Sequence, residues 1–211
     1  AGNLDDLDAL SRTVRAYDTI LFCPMLSFEE EQQAVKAIIA TLNGTGKTFL
    51  FTSGSGVLSL PSRDGTWSEY SFAEDDPFPF EATFNREVRH STENIVREAA
   101  GPGLRAMVIR PPLIYGRAGS IQIPQLFESA RKTGQVCYLG SGLNLYSNVH
   151  IDDVAEVFCL AAEKGVPGAL YHAVAGEVNF RTLAEAVASV VGCETRSLSY
   201  EEACALWGAS W

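Results

Sequence analysis

The side chains best suited to chemistry lie in two short windows and at two strand or helix ends. Arg89 and Glu93 stand four residues apart, so a helix would place them on one face. Arginine stays protonated, which makes it a poor proton donor or acceptor. Its fork can still polarise a carbonyl or bind a carboxylate or phosphate. The same two residues read equally well as a surface ion pair worth roughly 0.2–0.5 kcal/mol. His90 titrates near neutrality but points about 100° away from Arg89 around a helix. Thr52, Ser53 and Ser55 offer hydroxyls in a turn of small residues, where they can hold a substrate oxygen or simply build the turn. Tyr115 can face a substrate or cover a sheet. His150 and Asp152 read as a substrate contact, or as a buried histidine beside an acid at the positive end of a helix.

Other chemistries are poorly supported. The five cysteines (Cys23, Cys137, Cys159, Cys193 and Cys204) are odd in number and form no CxxC pair. They read as free, mostly buried thiols of a reducing, cytoplasmic compartment. His90, His150 and His172 lack ligand-like spacing, so no metal site is expected. A net charge of −10 repels phosphate backbones and argues against nucleic acid. No apolar run is long enough for a bilayer, and no signal peptide is evident, so no membrane is expected. The acidic clusters Glu29-Glu30-Glu31 and Glu74-Asp75-Asp76 read as solvated faces or loops.

These residues need a scaffold, and the apolar pattern supplies one. Thr19 to Cys23, Thr48 to Thr52, Arg105 to Arg110, Val136 to Leu139 and Ala169 to Val174 read as strands. Their nearly continuous apolar runs fit strands covered on both faces. Helices are expected after Ser27, whose Glu30 completes a capping box, over 84–100, over 121–133, after Asp153, and after Thr182 with Glu185. Residues 53–83 read as a long loop. Strands alternating with helices imply βαβ units, and therefore an α/β protein with a parallel sheet.

Three segments, in order, resemble the extended short-chain dehydrogenase/reductases of the NAD-dependent epimerase/dehydratase kind. Phe49-Leu50-Phe51-Thr52-Ser53-Gly54-Ser55 is similar to the strand and turn that present that family's hydroxyl. Val108-Ile109-Arg110-Pro111-Pro112-Leu113-Ile114-Tyr115-Gly116 is similar to its RPxxxYG strand end. Val149-His150-Ile151-Asp152-Asp153-Val154-Ala155 is similar to its VHVDDVA helix entry.

The resemblance implies a Rossmann-like, doubly wound parallel sheet over residues 1–120 and a small, partial substrate lobe over about 121–211, interleaved with the sheet. It implies NAD or NADP as cofactor, with Cys23, Pro24, Thr52, Arg110, Pro111, Pro112 and Leu113 against it. Ser53, Ser55, Arg89 and Glu93 would be catalytic, and Tyr115 and His150 would face a small-molecule substrate. The implied activity is that of an NAD(P)-dependent oxidoreductase, epimerase or dehydratase on a small carbonyl, hydroxyl or sugar-nucleotide compound. The family's Tyr-x-x-x-Lys pair does not occur: aligned by its small residues, the helix puts Arg89 and Glu93 in those two places. That departure keeps a second reading open, a non-catalytic nucleotide- or metabolite-binding relative or scaffold subunit. No glycine-rich phosphate turn occurs either, so the first βαβ unit is expected to be missing. A sheet without that unit would expose strand edges, favouring marginal stability or pairing of copies as a homodimer.

Overall fold

A computed structural model describes residues 3–78 and 84–208. In chain order the first elements are α1 (Leu7–Val14), β1 (Thr19–Phe22), α2 (Phe28–Leu42), β2 (Lys47–Thr52) and α3 (Phe84–Glu98). Then come β3 (Leu104–Arg110), β4 (Leu113–Tyr115), α4 (Ile123–Thr133), β5 (Val136–Leu139), β6 (Leu145–His150) and α5 (Ile151–Lys164). The last are β7 (Leu170–His172), β8 (Gly176–Asn179), α6 (Phe180–Val191), β9 (Thr195–Leu198) and α7 (Tyr200–Trp207).

The chain forms two units that interleave in sequence. The first comprises 1–58, 72–111 and 154–173; the second comprises 59–71, 112–153 and 174–211. Residues 154–173, expected in the substrate lobe, thus belong with the sheet. Their β7 extends it by pairing with β3, Val108 opposite Leu170.

The first unit is the Rossmann-type α/β layer. Its sheet runs β1-β2-β3-β7, all parallel. Apolar runs make this possible: Phe49, Leu50 and Phe51 on β2, and Ala106 to Ile109 on β3, are fully enclosed. On one side α2 and α3 contribute Val35, Ile38, Leu42 and Val96 to the core around Phe49, Phe51 and Val108. The capping box expected at Ser27 and Glu30 is present and starts α2. β1 forms one edge, where Leu21 is 53% exposed.

The second unit holds two small sheets. One runs β4-β6-β8, with β6 and β8 antiparallel, contrary to the expectation of parallel pairing throughout. The other is the parallel pair β5-β9. Leu126, Val136, Phe180, Ala184 and Val187 form its core. Two helix starts differ from expectation. α5 begins at Ile151, so Asp152 and Asp153 lie in its first turn. α6 is capped by Asn179, whose side chain accepts from the Thr182 backbone N–H. In each case a side-chain acceptor lay a few residues earlier than the Asp or Thr that the Ser/Thr/Asp-x-x-Glu pattern selects.

Residues 59–71 are expected to be loop and contain no helix or strand, yet they are pinned to the second unit. The Gly65 carbonyl accepts from the Leu143 and Asn144 backbone N–H groups at 2.6 and 2.9 Å and from the Ser141 hydroxyl at 2.6 Å.

Candidate active site

Parallel strands bring their carboxyl ends to one edge of the layer, the place where open α/β sheets bind ligands. Here that edge carries Cys23 after β1, Thr52 and Ser53 after β2, Arg110 at the end of β3 and His172 at the end of β7. The turn after β2 hangs on β3. Ser53 N–H donates to the Ile109 carbonyl at 2.8 Å and Ser55 N–H to the Pro111 carbonyl at 3.0 Å. Pro111 cannot donate, but its carbonyl can accept, which is how the strand end still holds the turn.

Beneath the turn lies an enclosed polar network. Glu93 of α3 is fully buried and takes Arg110 in a fork, Nε at 2.8 Å and Nη2 at 2.5 Å. Ser53, 5% exposed, donates its hydroxyl to the same carboxylate. The Arg110 guanidinium also lies 3.3 Å from His172 Nε2. Burial and the Arg110 charge hold the His172 pKa below its ordinary value. Glu93 is therefore an acceptor with both oxygens engaged, rather than the surface partner of Arg89 that the i,i+4 spacing suggested.

Arg89, one turn earlier on α3, pairs elsewhere. Its Nη2 donates to Glu31 at 3.0 Å and to the Thr52 carbonyl at 3.2 Å, and its guanidinium lies over the Phe28 ring at 4.9 Å. The side chain keeps 21% of its surface exposed, while Glu31 keeps 3%. Thr52 Oγ1 sits 2.9 Å from Cys23 Sγ. Cys23 and Cys159 are exposed, whereas mostly buried thiols were expected; each lies at the end or outer face of its apolar run.

Glu31 was missed by the sequence reading, which took Glu29-Glu30-Glu31 as a solvated face. It shares the inward stripe of α2 with Phe28, Val35 and Ile38, and that spacing was the available signal. Burial pushes its pKa from 4.5 up to about 7, with Arg89 opposing and Glu93 adding to the rise. An acid whose folded pKa is raised keeps a proton that the unfolded chain has lost. Stability therefore falls as pH rises from about 4.5 to about 7, by at most about 3 kcal/mol. Glu31→Gln should flatten that window, read from urea melts at pH values on either side of it; an unchanged difference would contradict the assignment.

His90 was set apart from the pair by its position on the helix. It stacks on Phe78 at 3.9 Å, and burial holds its pKa below the ordinary value.

The second unit holds the other expected contacts. Tyr115, 40% exposed, meets the His150 ring edge-on at 5.4 Å. His150 Nδ1 accepts from the Asp152 backbone N–H at 3.2 Å. Asp152 pairs with Arg117 at 2.7 Å. Gly116 follows Tyr115 at φ +109°, and a Cβ there would collide with the His150 ring. Leu113 and Tyr115 also line a cavity of about 870 Å³. Among the described residues no group of His, Cys, Asp and Glu could hold a metal. No helix among them is long and apolar enough to cross a membrane.

The first unit's strand ends suit one end of a dinucleotide. Cys23, Pro24 and Thr52 present small, uncharged surface, and Arg89 supplies a cation with a buried Nε that has no partner among the described residues. No glycine-rich phosphate turn occurs among these residues.

Known proteins agree with this architecture. The chain is 32% identical over 212 residues to an uncharacterized protein of Schizosaccharomyces pombe, covering 96% of this chain and 68% of that protein. It is 33% identical over 112 residues to a 2-alkyl-3-oxoalkanoate reductase of Stenotrophomonas maltophilia, covering 53% of this chain and 31% of the reductase. Among solved structures, a dTDP-glucose 4,6-dehydratase of Bacillus anthracis in complex with NAD superimposes with a TM-score of 0.76 at 15% identity. That match covers 93% of this chain and 66% of the dehydratase, so the chain spans about two thirds of its length. The profile of the NAD dependent epimerase/dehydratase family matches residues 24–174. The strand-end geometry and this match together place the chain in the NAD-dependent epimerase/dehydratase family.

Proposed function

We propose that this chain acts as an NAD(P)-dependent oxidoreductase on a small carbonyl or hydroxyl compound. The observation that carries this reading is Arg89, a cation fixed by Glu31 and the Thr52 carbonyl at the carboxyl end of β2. A positive charge held there by its neighbours costs no reorganisation when a carbonyl oxygen gains negative charge. Arg89 is permanently protonated, so its role is to polarise that oxygen or hold a cofactor hydroxyl, not to exchange a proton. Ser55 and Thr52 are the half-buried hydroxyls of the same turn. The hydroxyl of Ser53 is already committed to Glu93, so Ser53, Glu93 and Arg110 act as the frame that holds the turn. Bound NAD(P) would supply or accept the hydride.

The test is reduction of alkyl ketones with NADH or NADPH, followed by absorbance at the nicotinamide band. Arg89→Met should lower kcat/KM by about 100-fold or more, with the urea melt shifted far less than catalysis. Turnover unaffected by that substitution removes Arg89 from the chemistry. Calorimetric binding of the cofactor with no turnover of any carbonyl or sugar-nucleotide compound would favour the non-catalytic relative, a reading supported by the absent Tyr-x-x-x-Lys pair.

A further inference from the structure

The second unit has a cavity of its own, and its lining says what it can bind. At about 870 Å³ it lies within the usual size of a small-molecule site. Its walls are mostly apolar, with Leu113, Ile123, Phe127, Val178 and Leu183 around the opening. Phe127 is 42% exposed, although it is a large apolar side chain on a helix with a well-formed core face. An apolar ligand would cover the part of that ring left in water, which burial favours.

Charge decides what sort of ligand this is. The cavity-lining residues include one cation, Arg131, and two carboxylates, Glu128 and Glu177. Arg131 is not free: Nε and Nη2 donate to the two oxygens of Glu128 at 2.7 and 2.6 Å. Arg117, close by in sequence, is held by Asp152. A nucleoside diphosphate needs cations or clustered N–H donors for its phosphates. This wall has more carboxylates than cations, a balance that disfavours a phosphate.

One wall is also backbone that most sequences avoid. Gly116, Arg117 and Ala118 follow one another at φ +109°, +50° and +60°. Two consecutive non-glycine residues in the left-handed region are strained and persist where the surroundings fix them. Here they turn the chain back beside Tyr115, so that Gly116, Ala118 and Gly119 line the cavity with little side chain.

We propose that this cavity binds an uncharged, alkyl-bearing small molecule and excludes nucleotide-linked sugars. The inference is tested apart from the oxidoreductase reading, by binding alone. The purified chain is titrated with Nile red, a neutral dye that brightens in apolar surroundings, and the bound dye is then competed with 2-undecanone or with UDP-glucose. The ketone is expected to displace the dye, and UDP-glucose at equal concentration to leave it bound. Phe127→Glu, at a half-exposed position, should weaken dye and ketone binding about tenfold or more without shifting the urea melt. If that variant fails to fold, Phe127→Ala is read in its place, with a weakening of about threefold expected. Displacement by UDP-glucose but not by the ketone overturns the proposal, as does ketone binding that neither variant changes. Because no cofactor or turnover enters, loss of this proposal leaves the Arg89 result standing, and the converse also holds.

Discussion

Glu93→Ala should destabilise the protein by about 3–5 kcal/mol, the largest single-site effect expected outside the apolar core. Glu93 has no exposed surface and accepts three donors, two from the Arg110 fork and one from Ser53. Removing it leaves a guanidinium that is itself 7% exposed, with only the His172 ring nitrogen within hydrogen-bond distance among the described residues. An unpaired buried cation is costly whether or not the original pair was a net gain. Since small domains hold about 5–15 kcal/mol in total, the variant should sit near the edge of folding.

Urea unfolding checks the magnitude, and companion substitutions check the cause. Glu93→Gln keeps an acceptor and should lose less. Glu93→Leu combined with Arg110→Met removes both charges and should recover much of the loss, because apolar pairs of similar volume replace buried ion pairs at little cost. A loss under about 1 kcal/mol for Glu93→Ala would mean that the fork does not exist as described.

Gly65→Ala should cost about 3 kcal/mol and release the 59–71 segment. Gly65 has φ +62°, a region that alanine enters only under strain. A Cβ there would also collide with the Leu139 carbonyl, which is backbone at the end of β5 and cannot rotate aside. The segment would have to lift, breaking the hydrogen bonds from Ser141, Leu143 and Asn144 to the Gly65 carbonyl. Limited proteolysis should then cut within 59–71 while leaving Gly44→Ala intact; Gly44 has a similar φ of +75° but open space around it. Equal effects at the two glycines would show that backbone strain alone, and not docking of the segment, sets the cost.

The same contrast shows how far residue order reaches. Val136–Leu139 was legible as a strand because a short apolar run between turn residues leaves few alternatives. The start of α2 was legible because its capping box is a purely local arrangement. β4, β6, β8 and β9 were not legible: β4 is only three residues long, the others are half-polar, and each is defined by a partner far away in the chain. Glu31 was misread because three adjacent glutamates masked the helical spacing that puts it on the inward stripe, and the packing of α2 beside α3 then buries it.

The sequence by itself determined the α/β class and the family, because periodicity, caps and short motifs are encoded locally. Tertiary structure alone decided who pairs with whom. Arg89 and Glu93 had the spacing of a mutual pair. Instead, Glu93 points inward to the fork of Arg110 from β3, and Arg89 reaches Glu31 from α2. The physical reason is desolvation. A helix turn sets which side chains are neighbours at a gain of only about 0.3–0.5 kcal/mol, whereas leaving Arg110 buried without a partner would cost several times that.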